Sequence, residues 1–470
     1  MNMLMYDLDS KNKVPLHKQL YVFIKNDIQF GSLVPNQKLP SKRKFSEFLK
    51  ISQNTIQAAY NQLIDEGYIV SVEKKGYYVS KIENIIKLDN NEIFRNKEEK
   101  SELSILFDFS INGVDRYSFP YSTWRKLYKE IINENDKTLL TLSGFQGDEL
   151  LRESIAHYLH QSRGVNCSAN QIIISSGTEF LVQLIIQLFD RKTVYGLENP
   201  GYEKPRLVFK ANDCNIIPIE VDLEGMSSSD KRINEADVLC ITPSHQFPTG
   251  TIMPINRRGQ LINWANKSQE RYIIEDDYDS EFKYSGKPIP ALQGLDSNGK
   301  VIYLGSFSKS LSPTIRISYM VLPPKLMQKY LQNLSFMLCS VPLIEQKVLY
   351  RFINDGFFER HLNKMRTLYR KKYDVLVQSV TEMNSNIEIL GADAGLHILI
   401  KITNGMTERE LVQKAFDRGI EVHGISRYFF ESVPRSEYPI ILLGYASMNE
   451  FEIKKAVSML REAWLMDDDF

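Results

Sequence analysis

Cysteine is scarce: the 470 residues hold four, Cys167, Cys214, Cys240 and Cys339, with no C-x-x-C pair and no ligand-like partner nearby. That spacing argues against a zinc site or a disulfide framework and fits a reducing compartment. No apolar run approaches the roughly 18 residues that a membrane span needs. The opening MNMLMYDLDSKN turns polar and acidic within a few positions. It is unlike a secretory leader, so the chain is expected in the cytoplasm and away from membranes. Net charge is missing too, because 58 Lys and Arg balance 58 Asp and Glu. The chain as a whole therefore has no bulk attraction to nucleic acid. Internal repeats are absent. What remains is ordinary globular material, 43% hydrophobic and 25% charged, on a length that suits two or three domains.

The balanced charge hides an asymmetry. Up to Val79, eleven Lys and Arg face seven Asp and Glu, so the front is +4 and the rest is −4. From Pro15 to Val79 the pattern predicts three short helices and a hairpin. Leu16, Leu20, Phe23, Ile24 and Ile28 recur at helical spacing before Gly31. Phe45, Phe48 and Leu49 follow a Ser41 cap, and Ile56, Ala59, Tyr60 and Leu63 follow a Ser52 cap and stop at Gly67. YIVSVEKKGYYVS then reads as two β-rich runs joined at Lys74-Lys75-Gly76. The third helix carries Gln53, Asn54, Thr55 and Gln57 on its polar side, and Asn and Gln can pair bidentately with adenine. Ser41, Lys42, Arg43 and Lys44 on the second helix, with Lys74 and Lys75 on the hairpin, suit phosphate contacts that fix register.

Residues 81–106 are rich in Asn, Glu and Lys with sparse apolar anchors, the composition of a linker. From 107 to 470 apolar strand-like runs alternate with amphipathic helices: IIISSG, TVYGLE, VLCIT, YIIEDD, VIYLGSF and YMVLP. This alternation predicts an α/β domain with a largely buried sheet.

Within that region, GSFSKSLSPTIRISYM places Lys309 among small hydroxyl residues, with Arg316 seven positions on. IIEDDYDSEF ends an apolar run in a carboxylate pair followed by Tyr278. A lysine can carry an aldehyde, serines and an arginine can hold a phosphate, and a carboxylate can keep a pyridine nitrogen protonated. Together they describe a site for pyridoxal 5'-phosphate (PLP), with Lys309 forming the Schiff base. Asp276 and Asp277 both remain candidates for the ring nitrogen.

Two resemblances extend this reading. The stretch from Gly31 to Val79 resembles the GntR-type winged helix-turn-helix, through its Leu-Pro-Ser motif, Ser-x-x-Thr recognition helix, Gly-Tyr pair and glycine-tipped wing. Gln53 stands where that family often has arginine, and Lys74-Lys75-Gly76 replaces a Gly-x-Gly wing tip. The region from about Asp108 onward resembles fold-type I aminotransferases. The resemblance implies phosphate contacts at Gly177, Thr178, Ser306, Ser308 and Arg316, and a ring-stacking aromatic at Tyr202. It also implies Asp276 at the pyridinium and Tyr278 at the phenolic oxygen. In TPSHQFPTG, Phe247 replaces the asparagine that meets the ring oxygen, leaving Ser244, His245 or Gln246 as substitutes. Leu142 stands where some relatives place a cross-subunit tyrosine. Arg427, in the final small subdomain, is the expected effector-carboxylate fork, with Lys204 and His397 as further effector-pocket candidates.

The order of the two modules resembles the MocR subfamily of bacterial regulators. The implied architecture is a winged helix-turn-helix domain (1–80), a linker, and an α/β aminotransferase-like domain with a smaller C-terminal subdomain. The implied function is a homodimeric, PLP-dependent regulator that binds operator DNA and senses an amino compound, or PLP itself, through aldimine chemistry at Lys309. The alternative is a working aminotransferase or lyase with an accessory front module. No metal is expected.

Overall fold

Leu20, Tyr21, Ile24 and Ile28 line one side of the first helix, α1 (Leu16–Gln29), and bury it against α2 (Lys42–Leu49) and α3 (Gln53–Asp65). The computed structural model describes residues 6, 8–9, 12–81, 105–111, 113–133, 137–284, 289–383, 386–391, 394–430 and 438–465, in two units, 1–101 and 102–470. Ser41 caps α2 by accepting from the Lys44 N–H at 3.4 Å, and Ser52 caps α3 by accepting from the Thr55 N–H at 3.1 Å. Such a cap is typically worth about 1 kcal/mol. Phe45, Ile56, Ala59, Tyr60 and Leu63 complete the core. Two side chains expected inside, Phe23 and Phe48, are 38% and 37% exposed. Tyr21 fills the core in place of Phe23, which stacks on Tyr6 with ring centroids 5.4 Å apart. The hairpin is present: β1 (Ile69–Val72) and β2 (Gly76–Val79) pair antiparallel. Lys74 and Gly76 take left-handed backbone angles, φ +60° and +110°, to close it. Most of the stretch expected to be a linker, 82–104, lies outside the described residues.

The second unit begins with β3 (Phe107–Asp108). Its central sheet uses the six apolar runs of the sequence as β4 (Ile172–Ser175), β5 (Val194–Asn199), β8 (Val238–Ile241), β9 (Tyr272–Asp277), β10 (Val301–Ser306) and β11 (Ser318–Val321). With β6 (Asn215–Asp222) and β7 (Gly225–Met226) the order is β4-β11-β10-β9-β8-β5-β6-β7. All run parallel except β11 and the edge strand β7. Helices cover both faces, so the strands are apolar on both sides. Ile172 and Ile174 pack toward the cluster of the helices Glu149–Arg163 and Leu343–Asn354, whereas Ile173 packs toward the helix Thr178–Leu188.

A smaller layer follows: β12 (Ile387–Leu390), β13 (His397–Ile402), β14 (Ile420–Glu421), β15 (His423–Gly424) and β16 (Ile440–Gly444). Four of these form an antiparallel sheet ordered β12-β13-β16-β15, and β14 pairs with β3. The helices Phe357–Thr381, Glu408–Asp417 and Glu450–Leu465 contribute to its core. A buried ion pair, Lys372 Nζ to Asp115 Oδ2 at 2.7 Å, fixes the long helix to the chain that follows β3. Lys372 also donates to the Ala446 carbonyl, so the buried ammonium is well satisfied.

Candidate functional site

Parallel strands release their chain at the carboxyl ends, and there a cavity of about 210 Å³ opens within the second unit. β4 leads to Thr178, β5 to Tyr202 and Lys204, and β8 to Thr242 and Phe247. β9 leads to Asp276, Tyr278 and Asp279, and β10 to Ser306, Ser308 and Lys309. Arg316 arrives just before β11, while Ile111, Leu396 and His397 close another side. Asp276 lies opposite Leu304 in the β9–β10 register, which brings the carboxylate and the lysine loop to the same end of the sheet.

Lys309 donates from Nζ to the Ile111 carbonyl. Burial pushes its ammonium down to about 8, opposed by the Asp279 carboxylate and reinforced by Lys204. The two adjacent aspartates part company. Asp277 is buried in a pair with Arg163, Nε to Oδ2 at 2.8 Å, and its Oδ2 also accepts from the Tyr303 hydroxyl at 2.5 Å. Asp276 faces the cavity without such a counter-ion, and its buried Oδ1, like that of Asp277, has no hydrogen-bond partner among the described residues. Burial, then the charges of Asp277, Glu198, Asp279 and Glu179, push its carboxyl up to about 7.

Gly177 and Arg316 form a tight cradle. Gly177 precedes the helix Thr178–Leu188 at φ +98°, and a Cβ there would lie 2.0 Å from Arg316 Nη2. That guanidinium meets Glu179 Oε2 at 2.8 Å, and Glu179 Oε1 lies 3.6 Å from Lys204 Nζ. Against the cost of burial, its own backbone N–H and Arg316 hold the Glu179 carboxyl below the usual range. The Ser308 N–H donates to Ser306 Oγ at 3.1 Å, and the two hydroxyls lie 2.9 Å apart.

Phe247 is 3% exposed and packs among Tyr202, Tyr278, His397 and Tyr428, with ring centroids 4.9 to 6.2 Å away. Of its neighbours, Ser244 accepts from Arg163 and Gln246 is tied to Glu198, Pro200 and Thr249. His245 Nδ1 lies 3.0 Å from both Asp279 Oδ2 and the Tyr278 hydroxyl. His245, Asp279 and His397 bring ligand-type atoms within 4.8 Å of one another. Hydrogen bonds already engage them, His397 Nε2 donating to the Pro248 carbonyl at 3.0 Å.

The effector candidates separate. Lys204 lines the cavity with its side chain 53% exposed. His397 lines it too, and burial with nearby His245 pushes it down to about 3. It is therefore a neutral acceptor at Nδ1, unsuited to neutralising a carboxylate. Arg427 is outside the cavity lining and holds Glu203 Oε2 at 3.0 Å.

In the first unit, Gln53 and Asn54 are exposed at the start of α3, and Thr55 and Gln57 are half-buried. Ser41 and Ser52 are exposed but use their hydroxyls as caps. Lys42 donates to Gln57 Oε1, which links the two helices, and Arg43 pairs with Glu47 at 3.0 Å. Lys74 and Lys75 project from the hairpin tip, both exposed.

Comparison with known proteins supplies the family. The profile described as "Bacterial regulatory proteins, gntR family" matches residues 16–79, and "Aminotransferase class I and II" matches 105–458. Over its length the chain is 39% identical to the uncharacterized HTH-type transcriptional regulator YhdI of Bacillus subtilis (strain 168), covering 97% of each. It is 30% identical to the "Probable rhizopine catabolism regulatory protein MocR" of Rhizobium meliloti, covering 97% of this chain and 95% of that one. The chain belongs to the MocR subfamily of GntR-type transcriptional regulators. Among solved structures, the kynurenine aminotransferase of Pyrococcus horikoshii matches with a TM-score of 0.69 at 24% identity, covering 80% of this chain and 98% of that one. An archaeal alanine:glyoxylate aminotransferase matches with a TM-score of 0.70 at 23% identity, covering 77% and 91%. These similarities establish the fold-type I architecture of the second unit of this MocR-type chain.

The aminotransferase fold implies PLP, and two features of this cavity fit it. The orphaned Asp276 Oδ1 calls for a buried cationic donor, and the Gly177 cradle leaves space that any Cβ would fill beside a cation and a helix N-terminus. Sequence reasoning missed the partners Arg163, Glu179, Glu203 and Asp279. The signal that could have found Glu179 and Glu203 was their place in the first turn of a helix, where a carboxylate meets positive backbone charge.

Proposed function

We propose that this chain is a cytoplasmic, PLP-dependent transcriptional regulator whose first unit binds operator DNA and whose second unit senses an amino compound or PLP at Lys309. One observation carries the reading. A lysine with a depressed ammonium, an orphaned buried carboxylate and a glycine-arginine cradle converge in one cavity, in a chain that also has a winged helix. When bound, PLP supplies an aldehyde carbon for primary amines and an electron-withdrawing ring. Lys309, pushed down to about 8, holds an appreciable share of free, nucleophilic amine near neutral pH. Asp276 holds the proton of the ring nitrogen, whose positive charge in turn favours the ionised carboxylate. Tyr202 covers the ring face and Tyr278 donates to the phenolic oxygen. Thr178, Ser306, Ser308 and Arg316 hold the phosphate, with backbone N–H groups at the helix start, while Gly177, its own N–H donating to the Ser175 carbonyl at 3.1 Å, leaves room beside it; Glu179 yields its place on Arg316.

Effector recognition involves Lys204 as a cation in the cavity and His397 as a neutral acceptor. Arg427 joins once a carboxylate replaces Glu203. On the DNA side, Gln53, Asn54, Thr55 and Gln57 face base edges, while Ser41, Lys42, Arg43, Ser52, Lys74 and Lys75 face phosphates. A homodimer doubles these contacts and the length of the operator. Tyr117, Leu140, Leu142 and Phe336, large apolar side chains at least 77% exposed, are the kind that a partner copy covers.

The test is spectroscopic. Wild-type protein loaded with PLP is expected to absorb in the visible and to be trapped covalently by borohydride, whereas Lys309→Ala keeps its fold and gives neither. Covalent trapping in the alanine variant would show that the lysine is wrongly assigned. Sustained turnover of amines without selective DNA binding would favour the enzyme reading.

A further inference from the structure

We propose that His245, latched by Asp279, is a positioning residue that keeps the Tyr278 hydroxyl available as a donor to the ring oxygen of the cofactor, compensating for the amide that Phe247 lacks. The inference rests on the PLP reading of the cavity and deepens it.

Phe247 offers no side-chain donor, and its backbone N–H already donates to Thr242 Oγ1 at 3.2 Å. Ser244 Oγ is committed to Arg163 Nη2 at 2.7 Å. The Gln246 amide nitrogen donates to Glu198 Oε2 and the carbonyls of Pro200 and Phe247, and its oxygen accepts from Thr249. Neither can swing to the cavity without stripping buried polar partners. His245 remains, and it acts through Tyr278.

Its Nδ1 lies 3.0 Å from two oxygens but carries at most one proton. Asp279, 2% exposed, needs a donor far more than a neutral phenol does. The proton therefore sits on Nδ1 and is directed to Asp279, so Nδ1 cannot accept from Tyr278. The phenol O–H is left to point into the cavity that Tyr278 lines. Without the latch, a neutral imidazole carrying its proton on Nε2 would accept the phenol proton at Nδ1 and withdraw that donor.

The pH midpoint at which the visible absorbance of the PLP-loaded protein changes reads this directly. A donor to the ring oxygen favours its ionised form and so lowers the midpoint. Asp279→Ala removes the latch, freeing His245 Nδ1 to accept the phenol proton, and is expected to raise the midpoint by about one pH unit. In a Tyr278→Phe background it should not raise the midpoint, because the latch acts only through the phenol. Adding His245→Phe to Asp279→Ala removes the imidazole that takes the phenol proton, and adding Phe247→Asn returns an amide donor; either should bring the midpoint back down, a rescue that a merely structural role for His245 would not permit.

Asp279→Ala decides by sign, and Asp279→Asn, which keeps the volume but not the charge, repeats the test should the alanine variant fail to fold. The Asp279 charge favours protonated Lys309, so its loss acting on charge alone moves the midpoint down. Loss of the latch moves it up. The other titratable or charged groups facing the cavity, Lys204, Glu179, Asp276, Tyr202, Arg316 and His397, are the same in both proteins. A midpoint unmoved or lowered by Asp279→Ala, or no rescue by His245→Phe or by Phe247→Asn, would each overturn the proposal. If the wild type shows no visible absorbance that Lys309→Ala abolishes, it is the PLP reading that has failed.

Discussion

In the proposed PLP site Glu179 pairs with the cations assigned to the phosphate, so replacing it with glutamine should make this chain bind PLP more tightly. Its carboxylate lies 2.8 Å from Arg316 and 3.6 Å from Lys204, with side chains 30%, 46% and 53% exposed. Ion pairs so open to water are worth about 0.2 to 1 kcal/mol each. Glu179→Gln keeps the length and the hydrogen-bonding capacity but removes the charge that an incoming phosphate must displace. Summing two screened pairs gives about 1 kcal/mol, or about a fivefold gain in affinity. The assay is a titration of cofactor-free protein with PLP and, in parallel, with pyridoxal, which lacks the phosphate. Tighter PLP binding with unchanged pyridoxal binding is expected. Weaker PLP binding would show that Glu179 instead holds Arg316 ready for the phosphate, and an equal gain for both ligands would place the effect away from the phosphate.

Gly177→Ala tests the same cradle by sterics: its Cβ would meet Arg316 Nη2 at 2.0 Å, so PLP affinity should fall by about tenfold or more in equilibrium titrations. Below pH 6.5 the unfolded chain protonates His397 while the native chain, pushed down to about 3, does not, so stability contributed above 6.5 is lost as the pH falls. His397→Gln should therefore lose about 2 kcal/mol less than wild type between pH 7 and pH 5 in denaturant titrations. The raised carboxyls of Asp276, Glu198 and Glu275 act in the opposite direction in both proteins and cancel in the comparison. Lys42→Ala with Arg43→Ala should weaken DNA binding and flatten its dependence on salt, by about 0.9 in the log–log slope for each phosphate no longer neutralised. Unchanged slopes would remove these residues from the interface.

The six strands were legible because a sheet covered on both faces demands short, continuous apolar runs, and the sequence has six such runs between turn signals. That Asp276 and not Asp277 faces the cavity was also within reach. Side chains alternate along a strand, so only Asp276 shares a face with Tyr278. Phe23 and Phe48 were misplaced because helical periodicity defines a stripe whose edges are set by tertiary neighbours. The polar partners were out of reach for a different reason. Arg163–Asp277, Arg316–Glu179 and Arg427–Glu203 join residues 114, 137 and 224 positions apart. Pairings at that separation follow from the packed sheet and helices, not from local pattern.

The central claim is that one protein reads DNA and reports the state of its PLP cavity, and fluorescence anisotropy tests it most directly. Labelled DNA from upstream of the gene and its neighbours would be titrated with PLP-loaded, cofactor-free and Lys309→Ala protein, each with a panel of amino acids and amines. The account predicts saturable, sequence-selective binding whose affinity shifts with PLP or with one class of amine, and loss of the amine-dependent shift in Lys309→Ala. Selective binding of equal strength in every state, or no selective binding at all, would contradict it.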